Sequence, residues 1–136
     1  MTDPYRILVT GSRDWNDRDR VWLELGNAVA PVPIDREIVI VHGHCPSGAD
    51  AMADAWARKY GATIERHRAQ DFGPWPTCGP IRNQHMVSLG ADRCLAFIGP
   101  CTSPRCRRPG PHPSHGASGC ADLAEAAGIP VRRYTA

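Results

Sequence analysis

Residues Ile38 to Tyr60 read IVIVHGHCPSGADAMADAWARKY, and the fold follows from this stretch. Ile38, Val39, Ile40 and Val41 form a short β-branched run, the pattern of a strand buried on both faces. His42 to Gly48 is turn-forming, with glycines at 43 and 48. Ala49, Met52, Ala53, Trp56, Ala57 and Tyr60 then recur at helical spacing. Ser47 is placed to cap that helix, with Asp50 as its capping-box partner, and Gly61 suits the left-handed residue that ends it. A buried strand, a glycine loop and a helix N-terminus together form an anion site. Free backbone N–H groups and the positive end of the helix dipole point at one place. A plain strand-to-helix turn carries the same local pattern, so this loop gains meaning only from the others.

Strand and helix alternate on either side. Tyr5–Thr10 is predicted as a first strand, followed by the loop Gly11-Ser12-Arg13-Asp14-Trp15. Asn16 or Asp17 can cap a helix with Val21, Trp22, Leu25 and Val29 on one apolar face, stopped by Pro31 and Pro33. Ala62–His67 reads as a more polar third strand, nearer an edge. Asp71–Gly79 reads as a loop, and Pro80 opens a helix running Ile81 to Leu89. Cys94–Ile98 is a buried fourth strand, Ala117–Ala127 a helix and Ile129–Tyr134 a last strand. The expectation is a single α/β domain over residues 1–136: a mostly parallel sheet of about five strands with helices on both faces. Residues 99–115 interrupt it as a Pro/Arg/Cys/His-rich insertion without periodicity.

The 136 residues suffice for one core. No apolar run is long enough to span a membrane, and the N-terminal MTDPYR lacks a signal pattern, so a cytosolic location is expected. Six cysteines in that compartment argue against a disulfide framework. A net charge of +2 does not argue for a nucleic-acid partner. Whether the chain forms a homo-oligomer stays open.

In parallel sheets the ligand sits beyond the carboxyl ends of the strands, where strand order reverses. Gly11, Ser12 and Arg13 lie there and offer backbone donors, a hydroxyl and a guanidinium suited to a phosphate or carboxylate. An arginine on a solvated turn would have the same pattern. Arg82 and Asn83 form a second polar pair at a helix start, in a ligand or a capping role. No lysine lies near a glycine loop, which excludes a Walker-type phosphate loop, and no G-x-G-x-x-G follows the first strand. Trp15 is assigned to the core. Cys45, near a helix start, is a candidate reactive thiol, and Cys78 and Cys94 are read as structural. Cys101, Cys106, His112, His115 and Cys120 are the densest set of soft ligands. They predict a metal clip in which four donors close a zinc tetrahedron. The choice between His112 and His115 stays open, because His115 adjoins Gly116 and could face the crevice instead.

ILVTGSRDW, IVHGHCPSGADAMADAWA, CGPIRNQHMVSLGAD, LAFIG and LAEAAGIPV, in this order, resemble the YspA-like, cpYpsA-related branch of the SLOG superfamily. The resemblance covers nearly the whole chain apart from the Gly99–His115 insertion. It implies a Rossmann-like fold that binds a nucleotide or nucleotide-derived small molecule. Carried over by position, Gly11, Ser12, Arg13, His42, Gly43, Gly48, Ala49, Asp50, Arg82 and Asn83 would line the pocket, with Gly116 beside them. Relatives in the superfamily include the Lonely Guy phosphoribohydrolases, which use PGG-x-GT-x-x-E before their last helix, and a DNA-processing group. Here the matching stretch is Ser114 to Cys120, and the catalytic glutamate position falls on Cys120. The resemblance therefore implies ligand binding first. Glycosidic-bond hydrolysis, with Asp50 or Asp14 as acid/base, is the rival reading, and single-stranded DNA binding a third.

Overall fold

The computed structural model describes residues 3–103, 106–108, 110 and 112–135. The order is β1 (Tyr5–Gly11), α1 (Arg18–Val29), β2 (Ile38–His42), α2 (Gly48–Tyr60) and β3 (Thr63–Arg66). A 3-10 turn (Ala69–Phe72), α3 (Cys78–Ser88), β4 (Arg93–Ile98), α4 (His115–Ala126) and β5 (Val131–Thr135) follow. The five strands form one sheet in the order β3-β2-β1-β4-β5, and every pairing is parallel. Strand order reverses between β1 and β4. The short, polar β3 is an edge strand, as its composition predicts.

Alternation along the strands sorts the core into two layers. Ile7, Val9, Ile40, Leu95 and Phe97 face α1 and α2, meeting Val21, Leu25, Ala53, Trp56 and Ala57. Leu8, Val39, Val41 and Cys94 face the other way, toward Met86, Val87, Cys120 and Ala124 of α3 and α4. Trp15 belongs to the first layer, edge-on to Phe97 at 5.5 Å. Among the described residues no helix is long and apolar enough to cross a membrane.

The helix starts differ from the sequence expectation, with consequences for the site. α3 begins at Cys78, so Pro80 is its third residue. The first four N–H groups of a helix have no partner inside it, so a proline there forfeits no bond. Arg82 and Asn83 consequently lie in the second turn rather than the first. α4 begins at His115 rather than Ala117, and a 3-10 turn occupies part of the stretch read as loop. Asp17 caps α1 by accepting from the Arg20 N–H. Ser47, however, makes no cap bond to α2. Its hydroxyl donates to the Arg13 carbonyl at 2.9 Å, and Asp50 turns inward instead of reaching back to Ser47.

This tie presses the start of α2 onto the β1–α1 loop. A Cβ on Gly11 would collide with Ala49, and one on Gly48 would collide with the Ser12 carbonyl. Gly48 also has a φ of +73°. Gly48→Ala should therefore cost about 2–4 kcal/mol in urea denaturation, combining left-handed strain with overpacking. Gly61→Ala provides the control. Its φ is +77° but nothing lies within 4 Å of the added methyl, so only the backbone cost of about 1–2 kcal/mol should register.

Candidate functional site

The loops after β1 and β4 are stitched together at the point of reversal. Ser12 N–H donates to the Phe97 carbonyl at 3.0 Å, and Gly99 N–H donates to Ser12 Oγ at 2.8 Å. Arg82 reaches across from α3. Its Nη1 donates to the Gly43 carbonyl at 2.7 Å and to the His67 carbonyl at 3.3 Å, and its Nε donates to Asn83 Oδ1 at 2.8 Å. Asn83 Nδ2 in turn donates to the Gly116 carbonyl at 3.5 Å. A Cβ at Gly43 would meet the Arg82 guanidinium, so a side chain there would displace it from these bonds. Arg82 is thus not a spare charge awaiting a ligand. Arg13 is exposed, stands 5.1 Å over the Trp75 ring, and forms no salt bridge among the described residues, although its charge is felt by Asp50.

Gly11, Ser12, Arg13, Gly43, Gly48, Arg82, Asn83 and Gly116 therefore gather around one carboxyl edge. Ala49 is fully buried against Gly11 and belongs to the core. His42 is buried and turned toward α2, where its Nε2 lies 2.8 Å from Asp54 Oδ2. Asp14 is exposed, whereas Asp50 is buried. Asp50 Oδ2 accepts a long 3.4 Å bond from the Cys45 N–H, the Gly43 N–H also favours the ionised carboxylate, and Oδ1 has no hydrogen-bond partner. Burial pushes this carboxyl up to about 6, outweighing the Cys45 N–H and the Arg82 charge that favour ionisation.

The sign of the resulting pH dependence is fixed. A raised carboxyl pKa means the folded state holds a proton that the unfolded chain releases. Stability should fall as pH rises from about 4 through about 6, then level off. Asp50→Asn should flatten that slope and be more stable than wild type at pH 7 by on the order of 2–3 kcal/mol, read from urea midpoints across the pH range.

The Cys/His-rich insertion folds back on itself. Pro100 and Pro113 form an antiparallel bridge, Cys101 N–H donates to the His112 carbonyl at 2.7 Å, and Ser114 N–H donates to the Gly99 carbonyl at 2.9 Å. These bonds set Cys101 opposite His112. One ligand atom each from Cys101, Cys106, His112 and His115 then falls within 4.8 Å of the others. Cys106 Sγ lies 3.2 Å from Nε2 of both histidines. The edge of a zinc tetrahedron with sulfur and nitrogen ligands is about 3.5 Å, so the two Cys106–histidine separations are close to that spacing. His112 Nδ1 lies 2.9 Å from the Gly110 carbonyl. Donation there leaves the Nε2 lone pair for a metal, the usual second-layer arrangement. Pro104, Arg105, Pro109 and Pro111 of the insertion lie outside the described residues.

Cys120 is not part of this group. It is fully buried in the α3–α4 layer, where burial pushes its thiol up to about 11. Counting soft ligands along the sequence included it because nothing there distinguishes an insertion cysteine from one on the buried face of the next helix. Both histidines join the cluster, so the choice between them falls away. Four residues near the carboxyl edge carried no signal of their own. Trp75 was only an aromatic in a proline-flanked loop. Arg58 meets Asp54 one turn away on α2, and Arg66 joins them only through the β2–β3 register, which pairs His42 with Arg66.

The sequence profile described as the YspA, cpYpsA-related SLOG family matches residues 5–71, from β1 through most of the 3-10 turn. The Gene 61 protein of Mycobacterium phage D29 is 40% identical over 134 residues, covering 95% of each chain. No solved structure matches. With its five parallel strands, its reversal between β1 and β4 and this relative along nearly its full length, the chain belongs to the YspA, cpYpsA-related SLOG family.

Proposed function

We propose that the protein binds a nucleotide or nucleotide-derived ligand at the carboxyl edge where β1 and β4 diverge. Arg13 carries this reading: an exposed guanidinium beside an exposed indole, at a strand-order reversal. Its planar fork suits a phosphate, and the Trp75 ring offers a face for a base. The starts of α2 and α4 add donors, since neither has a side-chain cap. Family membership supports the class of ligand. Binding is favoured over hydrolysis because Cys120, at the glutamate position of the phosphoribohydrolases, is a buried core thiol. Six free cysteines suit a reducing cytosol.

Thermal shift against a nucleotide panel tests the reading. Arg13→Ala should weaken binding by roughly 2–3 kcal/mol while leaving the unliganded melting temperature nearly unchanged. Arg13→Lys should also lose affinity, because an ammonium cannot make two parallel bonds. Arg82→Ala should lower the unliganded stability as well, by about 1–3 kcal/mol, since it strips donors from Gly43 and His67. An Arg13→Ala protein that responds to ligand as wild type does would place the pocket elsewhere.

The Cys101, Cys106, His112 and His115 group is read as a structural zinc site, because its four ligands close the tetrahedron and leave no position for chemistry. Elemental analysis should find about one zinc per chain. Cys101→Ser and Cys106→Ser should each lose it. Cys120→Ser should keep the metal and lose stability instead.

A further inference from the structure

A cavity of about 270 Å³ lies at the carboxyl ends of β2 and β3, against the flank of α2. Its wall is organised by Asp54. One buried carboxylate receives Arg66 Nε at 2.7 Å, Arg66 Nη2 at 3.2 Å and Arg58 Nε at 2.9 Å, with His42 Nε2 at 2.8 Å. His42 Nδ1 accepts the His44 N–H at 2.9 Å, so the ring carries its proton on Nε2 and donates it to Asp54. Burial pushes the His42 pKa down, and the ring is neutral at physiological pH. The wall then holds two fixed cations against one anion.

Both arginines spend their Nε edge on Asp54. Arg66 Nη1 and both outer nitrogens of Arg58 have no partner among the described residues, and both side chains line the cavity. Anchored guanidiniums lose little freedom on meeting an anion, and their forks match a phosphoryl group. His44 adds an independent sign. It is the one described non-glycine residue with positive φ, at 56°, and its imidazole is exposed at the cavity. Such strain persists where surrounding bonds impose it, often at ligand clamps. Here the imposing bond is the N–H donated to His42. The volume falls below the roughly 300–1,000 Å³ of drug-sized pockets, which fits a phosphate or a small phosphate ester rather than a whole nucleotide.

We propose that this cavity is a phosphoryl-anion site, separate from the β1–β4 crevice, in which Arg58 and Arg66 bind the anion and His44 closes its mouth. Amide and arginine-side-chain NMR of the full chain, titrated with inorganic phosphate and separately with glycerol phosphate, tests it. Saturable shifts are expected at His44, Ala51 and the Arg58 and Arg66 side chains. Arg58→Ala should weaken binding about tenfold, the loss of one hydrogen bond to a charged group, and should fold normally because that side chain is 65% exposed. Arg13→Ala should leave these shifts unchanged, which separates this site from the nucleotide site. Equal affinity for the two probes would identify free phosphate as the ligand, and tighter glycerol phosphate binding a phosphorylated small molecule. Absence of saturation, wild-type affinity in Arg58→Ala, or loss confined to Arg13→Ala would each overturn the proposal.

Discussion

The Arg82 guanidinium holds the carboxyl edge of the sheet in one arrangement. From the second turn of α3 it bonds the loop after β2 at Gly43 and the end of β3 at His67, and it orients Asn83 toward the start of α4 at Gly116. Three loops that would otherwise move independently are thereby fixed to one another. The arrangement needs a charge that cannot be lost and a planar fork that reaches several carbonyls, which lysine would not supply. It also needs Gly43, because any side chain there would occupy the guanidinium's place.

Around that clasp, polar groups are distributed unevenly. Asp54 is oversupplied, with two arginines and a histidine on one carboxylate, and Arg66 above all holds it ionised far below the usual range. Asp50, four residues earlier on the same helix, is undersupplied, with one long bond and an orphan oxygen. A buried carboxylate so poorly solvated costs stability at neutral pH. Chains keep such costs mainly at functional sites, and Asp50 lies within the electrostatic reach of Arg82 and Arg13.

The insertion between β4 and α4 has too few apolar residues to fold as a core of its own. Its described part is instead organised by the Pro100–Pro113 bridge and by the Cys/His group beyond it. Because His115 is both a member of that group and the first residue of α4, the group is joined directly to the helix start that Asn83 bonds.

Hydrophobic period determined the fold from sequence alone. Doubly buried runs such as Ile38–Val41 and Cys94–Ile98 can only be inner strands of a covered parallel sheet, and the polar Thr63–Arg66 run can only sit at an edge. The loops that meet at the strand reversal were legible for the same reason, since strand ends locate them. What a side chain does inside those loops was not legible, because it depends on partners distant in the chain. Arg82 reads as either a ligand or a capping residue until Gly43 and His67 stand beside it, 39 and 15 residues away. Cys120 reads as a metal ligand until the helix phase turns it into the core. Arg66 reaches Asp54 only because strand register sets the end of β3 beside His42, 12 residues from Asp54 in the chain. Local pattern decides which backbone forms, because it is set by neighbours within a few residues. Which charges are satisfied is decided by long-range packing, and only the tertiary structure supplies that.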